Sequence, residues 1–330
     1  MLWTVLCEMN YKLFGTHTGL PASELILGGS QLGNRRGDGT TVQDALQILS
    51  AYADAGGNCI DLSDLYQFGE AEETVGKFTQ HNRHDFILCT KYTLSSQPNS
   101  SVGNMGNHRK AMRQAIEGSL ARLKTDYIDV YMPHFDDGNT PLEEIARGME
   151  DLVKAGKVLY AGLANFPAWK AAAIASSLPL TAIQFEYNLT QRTPDREIKP
   201  MAEQFGMGMM GYSPLAGGLL TGKYRQGSTG RLTRSASRAY EEDGRIKSIL
   251  DELELIAHEH NSTPGQIALA WAISKGVFPI IGARTLSHLE GNLKAIAISL
   301  TTNQIERLDD VSATAMGYPH ELLTTVQKKY

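Results

Sequence analysis

Polar residues recur at one kind of position in this 330-residue chain, at or just after the carboxyl end of seven short apolar runs. Asp61 closes the run 58–61, Lys91 follows 86–90, His134 follows 127–132 and Asn165 follows 158–163. Gln184 lies in 181–185, Tyr212 with Ser213 closes 208–212, and Arg284 follows 278–281. Singly, Asp61 or His134 is more often a cap or a satisfied interior polar group, and Lys91 a surface lysine. Together they are harder to dismiss, because a buried lysine and aspartate that lack each other are strongly destabilising.

Three chemistries are open to such a set. Lys91 could form a Schiff base, which needs a lowered pKa. Alternatively Lys91 stays charged and acidifies a tyrosine. Tyr66 stands five residues after Asp61, and a cation within hydrogen-bond reach lowers a phenol's pKa from about 10 by roughly 1–3 pH units. This reading uses Asp61, Tyr66, Lys91 and His134 together, whereas the Schiff base leaves Tyr66 and His134 idle. A hydrolytic metal site is the third, and one strand-end His with one strand-end Asp is a thin ligand set for it.

The elements that must carry these residues alternate. The eight apolar runs (24–28, 58–61, 86–90, 127–132, 158–163, 181–185, 208–212 and 278–281) read as strands. Helical patterns fall at 41–55, 71–78, 109–123, 142–154, 168–176, 196–205, 244–260, 264–274, 286–297 and 302–311. Alternation of this kind implies right-handed βαβ units and a parallel sheet. Eight evenly spread units fit a closed (β/α)8 barrel, preceded by a hairpin over 11–14 and 21–22 and ending in an extra helix. A doubly wound sheet would carry G-x-G-x-x-G after its first strand. Here 27–33 reads Leu-Gly-Gly-Ser-Gln-Leu-Gly, with the wrong glycine spacing. In such a barrel chemistry is done at the carboxyl ends of the strands.

Two long loops stand out, 92–107 and 222–240. The second carries Lys223, Arg225, Arg231, Arg234 and Arg238 with no acidic residue among them, which fits either a solvated loop or a flap over an anion. The net charge of −5 argues against a general nucleic-acid binder. No apolar run reaches the ~18 residues of a membrane helix, and the opening seven residues make a poor signal peptide. Cys7, Cys59 and Cys89 are too few and scattered for a disulfide framework or a zinc site, so a cytoplasmic home is expected. One domain is expected over 1–330, with 1–8 as an extension and 313–330 as a tail.

The run Asn58-Cys-Ile-Asp61-Leu-Ser-Asp-Leu-Tyr66-Gln-Phe-Gly-Glu-Ala-Glu72 resembles the second-strand motif of aldo-keto reductases. So do Thr90-Lys91, Asp129-Val-Tyr-Met-Pro-His134, Gly162-Leu-Ala-Asn165-Phe and Gln184-Phe-Glu-Tyr-Asn188. Tyr212-Ser-Pro-Leu-Ala-Gly-Gly-Leu-Leu-Thr-Gly-Lys-Tyr224 resembles the long-loop branch that includes the Shaker-type potassium channel β subunits and many microbial reductases. Ile281-Gly-Ala-Arg284 followed by Asn292 completes a resemblance over roughly residues 10–312. It implies catalytic roles for Asp61, Tyr66, Lys91 and His134. Asn165 and Gln184 would hold the nicotinamide carboxamide, Tyr212 would stack on the ring, and Ser213, Leu215, Gly218 and Lys223 would meet the pyrophosphate. Gly282, Arg284, His288 and Asn292 would meet the adenosine and its 2′-phosphate. The implied cofactor is NADPH or NADP+, with NADH weaker, and the implied substrate a small carbonyl or alcohol. The family also offers a redox-sensing regulatory subunit, against which His134 is retained.

Three positions depart from the pattern. Ala164 stands where serine usually precedes the asparagine, His288 where Gln or Arg is common, and Gly291 where Glu usually precedes Asn292. Next to the strand ends, Gln31, Tyr92, Phe135, Phe166 and Trp169 are expected to line the substrate pocket, an aromatic rim suited to a hydrophobic carbonyl. Cys59 and Cys89 precede Asp61 and Lys91 by two positions, so both thiols should share the inward face.

Overall fold

The structure, a computed structural model, describes residues 9–230, 232–233 and 242–327. A hairpin comes first, β1 (Tyr11–Leu13) against β2 (Pro21–Ser23). Eight parallel strands follow: β3 (Ile26–Gly28), β4 (Cys59–Asp61), β5 (Ile87–Tyr92), β6 (Ile128–Pro133), β7 (Val158–Ala164), β8 (Leu180–Glu186), β9 (Gly208–Tyr212) and β10 (Val277–Gly282). They close into a barrel in chain order, β10 pairing with both β3 and β9. This is the expected (β/α)8 barrel.

Helices alternate with the strands: α1 (Val42–Asp54), α2 (Glu70–Phe78), α3 (Arg109–Leu123), α4 (Leu142–Lys154), α5 (Ala168–Ala175), α6 (Ile198–Gln204), α7 (Gly244–Glu259), α8 (Pro264–Ser274) and α9 (Leu286–Leu293). Beyond the barrel lie α10 (Thr302–Ser312) and α11 (His320–Gln327). Their local signals are ordinary. Thr41 caps α1 by accepting from Asp44 N, and Ala45, Ile48, Leu49 and Tyr52 bury one face at helical spacing. A reciprocal Thr263–Gln266 capping box with Pro264 in the first turn starts α8.

Alternation along the strands splits the apolar residues into two cores. Outward residues such as Leu27, Ile60, Leu88 and Leu163 pack under the helices. Inward residues, among them Ile26, Cys59, Cys89, Val130, Met132, Ala182, Met210 and Ile280, fill the barrel. The hairpin forms its floor. Phe14 is fully buried in that inner core, its ring 5.3 Å from that of Phe278. Cys59 and Cys89 face inward as expected, their sulfurs 3.9 Å apart.

The differences from expectation have local causes. β3 begins at Ile26 rather than 24, because Glu24 pairs with Asn10 and Lys12 of the hairpin. β5 runs on to Tyr92, which puts Lys91 inside the strand. The helix expected over 196–205 keeps only Ile198–Gln204, since residues 193–195 form a separate 3-10 turn holding Asp195 against Arg192. The 286–297 helix tightens into a 3-10 turn after Leu293. Within the expected tail, α11 is anchored by Arg196 to the Tyr318 carbonyl and by His320 to Glu197. The expected 1–8 extension lies outside the described residues. No helix among those described is long and apolar enough to cross a membrane.

Candidate active site

At the carboxyl end of the barrel, Lys91 and Asp61 sit one layer above the two thiols. Lys91 Nζ donates to Asp61 Oδ1 at 2.5 Å and to the Leu62 carbonyl at 2.6 Å, and the lysine is fully buried. Burial pulls its pKa down, but Asp61 and the Tyr66 phenol outweigh it and hold the ammonium above its ordinary value. A lysine kept charged is a poor imine former, so the Schiff-base reading loses its physical basis. The ammonium stands 5.2 Å from the centre of the Tyr66 ring.

His134 completes the group. Its ring meets that of Tyr66 edge-on, centroids 5.8 Å apart. Burial and then the charge of Lys91 push its pKa down to about 3, so the imidazole is neutral near pH 7. Nδ1 lies 3.1 Å from Ser63 Oγ. The backbone N–H of His134 donates to the Tyr92 carbonyl and to Thr93 Oγ1.

Tyr66 is presented by a strained turn. Gln67 (φ 51°), Phe68 (φ 53°) and Gly69 (φ 87°) are all left-handed, and a non-glycine residue there costs about 1–3 kcal/mol. The buried Gln67 side chain holds the turn in place. It donates to the Ser30 carbonyl and Asp38 Oδ1 and accepts from Arg36 N. Glu70 accepts from Asn34 N and Arg35 N at 2.7 Å each, fixing the start of α2. Ser63, Asp64 and Gln67 are not among the expected site residues, although each lies in the Asn58–Glu72 run. The signal was a second carboxylate, Asp64, inside that short loop.

Asn165, Gln184 and Tyr212 reach the same mouth, and all three are already hydrogen-bonded within the protein. Asn165 Nδ2 donates to the His134 carbonyl, and Tyr212 Oη donates to Asn165 Oδ1 at 3.0 Å. Gln184 Nε2 donates to Asp61 Oδ1 at 2.7 Å, making the glutamine part of the lysine–aspartate cluster.

After β9 the backbone turns left-handed at Ser213, Ala216, Gly217 and Gly218, with Leu215 accepting from Gly218 N. A Cβ on Gly218 would lie 2.8 Å from Lys223 Nζ, so the glycine allows both the turn (φ 91°) and the lysine's approach. Across from it, Thr285 caps α9 by accepting from His288 N, and Asn292 donates to the Gly282 carbonyl. His288 lies near both Lys223 and Arg284. Burial first, then those two cations, lowers its pKa. The 222–240 loop is less cationic in space than in sequence, because Arg225 pairs with Glu242, Asp251 and Glu254. Arg231, Arg234 and Arg238 lie outside the described residues.

The five expected pocket residues are not gathered. Gln31 accepts from Arg284 Nε at 2.7 Å, which puts it at the cationic end. Tyr92 and Phe166 are corrections. Both are buried in the layer between barrel and helices, Tyr92 stacked on Tyr131, because strand alternation sends the neighbour of inward Lys91 outward. Phe135 lies beside His134, ring centroids 6.0 Å apart. Trp169 is 66% exposed on α5.

Among the described residues, no group of three or more His, Cys, Asp or Glu side chains is placed to hold a metal ion. The profile of the Aldo/keto reductase family matches residues 24–313. Norsolorinic acid reductase of Aspergillus flavus is 32% identical over 330 residues, covering 95% of this chain and 84% of that protein. An oxidoreductase of Bacillus subtilis, YrpG, is 36% identical over 321 residues, covering 92% of this chain and 96% of its own. The NADP(+) aryl-alcohol dehydrogenase of Phanerodontia chrysosporium is 31% identical over 331 residues, with 92% and 86% covered. A closed parallel barrel with a buried lysine–aspartate pair beneath a tyrosine and a neutral histidine, and full-length similarity to named oxidoreductases, lead to one assignment: this chain is an oxidoreductase of the aldo/keto reductase family.

Proposed function

We propose that the chain reduces a ketone or aldehyde to the alcohol with NADPH, reversibly, with Tyr66 as general acid. The observation that carries this is the charged, buried Lys91–Asp61 pair lying against Tyr66, with neutral His134 edge-on to the same ring. A fixed cation next to a phenol favours the phenolate and so eases release of its proton. Asp61 and the Leu62 carbonyl keep the ammonium from swinging away, and Gln184 steadies Asp61. His134 supplies a neutral hydrogen-bond donor to the carbonyl oxygen, where negative charge develops.

The residues fit a dinucleotide phosphate. The left-handed turn from Ser213 to Gly218 brings the backbone close beside Lys223, and Lys223, Arg284 and His288 gather within electrostatic reach of one another at the start of α9. We assign Ser213, Leu215, Gly218 and Lys223 to the pyrophosphate, and Gly282, Arg284, His288 and Asn292 to the adenosine and its 2′-phosphate. Asn165, Gln184 and Tyr212 face the nicotinamide. When bound, that group supplies hydride to the carbonyl carbon. The chain's own part is to hold the carbonyl oxygen between Tyr66 and His134 and to deliver the proton. Phe135 beside His134 favours an aromatic or otherwise hydrophobic substrate, in keeping with the relatives named for aryl alcohols and norsolorinic acid.

The test is Tyr66→Phe, assayed with NADPH and a panel of aryl aldehydes and ketones. Turnover should fall by roughly 10²–10⁴-fold while NADPH binding, followed by fluorescence, stays within about twofold. Turnover that survives the substitution, or binding that collapses with it, refutes the role given to Tyr66.

A further inference from the structure

Ser63 and Asp64 lie between Asp61 and Tyr66, and the reaction as described does not use them. Both are buried. Ser63 Oγ is 3.1 Å from His134 Nδ1, 3.3 Å from Asp64 Oδ1 and 3.3 Å from the Lys91 carbonyl, and it accepts from Leu65 N at 3.3 Å. A hydroxyl has one proton and two lone pairs. The Leu65 N–H takes one lone pair. The Lys91 carbonyl accepts from Asp64 N at 3.0 Å, and a hydroxyl turned onto its second lone pair would leave either the Asp64 carboxyl or His134 Nδ1 without a partner. The proton is therefore shared out between Asp64 and His134, and its destination decides the imidazole.

Two arrangements satisfy every group. An ionised Asp64 takes the Ser63 proton, so Nδ1 must carry hydrogen to donate to Ser63, and Nε2 is left a bare acceptor. A protonated Asp64 instead donates to Ser63, Ser63 donates to Nδ1, and Nε2 carries the hydrogen. Nδ1 makes the ring's one side-chain hydrogen bond among the described residues, so this contact sets the tautomer. We propose that Asp64, Ser63 and His134 form a hydrogen-bond relay, in which the carboxyl O–H of Asp64 turns the Ser63 hydroxyl onto Nδ1 and makes Nε2 a donor to the carbonyl oxygen. The inference rests on the reductase reading above, since it is the carbonyl oxygen that needs a donor.

The surroundings favour the second arrangement. Burial, then Glu72, pushes the Asp64 carboxyl well above the usual range, against the opposing pull of Arg122 and of hydrogen bonds from Ser63 and Leu65. Glu72 faces it from α2 and is paired with Arg122 of α3, while Tyr131 of β6 and the Lys91 backbone of β5 lie on the other sides. His134 itself faces Lys91 and Tyr66, and neither can donate a proton to Nδ1 from the position Ser63 holds. Ser63 and Asp64 are thus positioning residues, acting through His134.

The experiment is nitrogen-15 histidine NMR of the full chain across pH, with the His134 signals assigned by their loss in His134→Gln. The parent should show Nε2–H below the ionisation of Asp64 and move toward Nδ1–H as the pH rises through it, above the usual carboxylate range, with carbonyl reduction falling in step. Ser63→Ala, a near-isosteric change, should give a tautomer mixture at every pH and lower kcat by roughly tenfold, with the KM for NADPH unmoved. Asp64→Asn, whose amide N–H replaces the carboxyl O–H, should abolish the pH-dependent step in the histidine signals. A parent that is Nδ1–H at every pH, or a Ser63→Ala spectrum identical to the parent, overturns the relay. A chain with the expected tautomers that reduces no carbonyl refutes the reductase reading and leaves the relay standing.

Discussion

Arg284 is where the choice between NADPH and NADH is expected to be made. Its Nε is held by Gln31, which sets the plane of the guanidinium near Lys223 and His288. A 2′-phosphate bound there would receive charge-assisted hydrogen bonds, each stronger than a neutral one. NADH brings no such phosphate. Arg284→Ala should therefore weaken NADPH by about 1.5–3 kcal/mol and leave NADH nearly unchanged, as read by fluorescence titration of both. Equal weakening of the two would assign the phosphate to another cation, with Lys223 next in line. That Asp61, Lys91 and His134 meet at one mouth was legible from spacing, because each closes or follows an apolar run. What spacing could not give was hydrogen-bond partners. Nothing in the sequence places Gln31 on Arg284 or Gln184 on Asp61, since those contacts span 253 and 123 residues.

The hairpin and the strands divide the barrel's tasks between its two ends. β1 and β2 close the floor with Phe14, while the strand ends at the opposite mouth carry the polar group. Phe14→Ala should lower stability by about 3–5 kcal/mol, because the cavity sits in a closed core with little room to collapse. A urea titration measures it, and turnover per folded molecule should hold, the floor lying a full barrel layer below Lys91. A loss under 1 kcal/mol would mean that the hairpin is a loose flap. At this scale strand existence was readable from apolar runs, while their limits were not. Lys91 lies within β5 because Tyr92 continues the ladder through Pro133 of β6, a pairing that one strand's composition cannot reveal. The same ladder explains why Tyr92, expected at the mouth, packs outward instead.

At the scale of the whole chain, the closed ladder leaves no barrel edge exposed, and Asp61, Lys91, His134, Asn165, Gln184 and Tyr212 bring polar groups from six strand ends to one mouth. Its interior also holds two free thiols, Cys59 and Cys89, with no exposed surface at all. A thiol reagent cannot meet them until neighbouring strands part, so their labelling rate is a built-in stopwatch for barrel opening. In a Cys7→Ser background, native protein should show no fast phase with an aromatic disulfide, and the two thiols should react together at the rate of global unfolding. Saturating NADP+ should slow that clock by the factor 1 + [L]/Kd if the cofactor binds only the closed barrel. A fast reaction at one thiol alone would instead reveal a seam between β4 and β5 directly beneath Lys91, a place where the lysine–aspartate layer could breathe without the rest of the molecule coming apart.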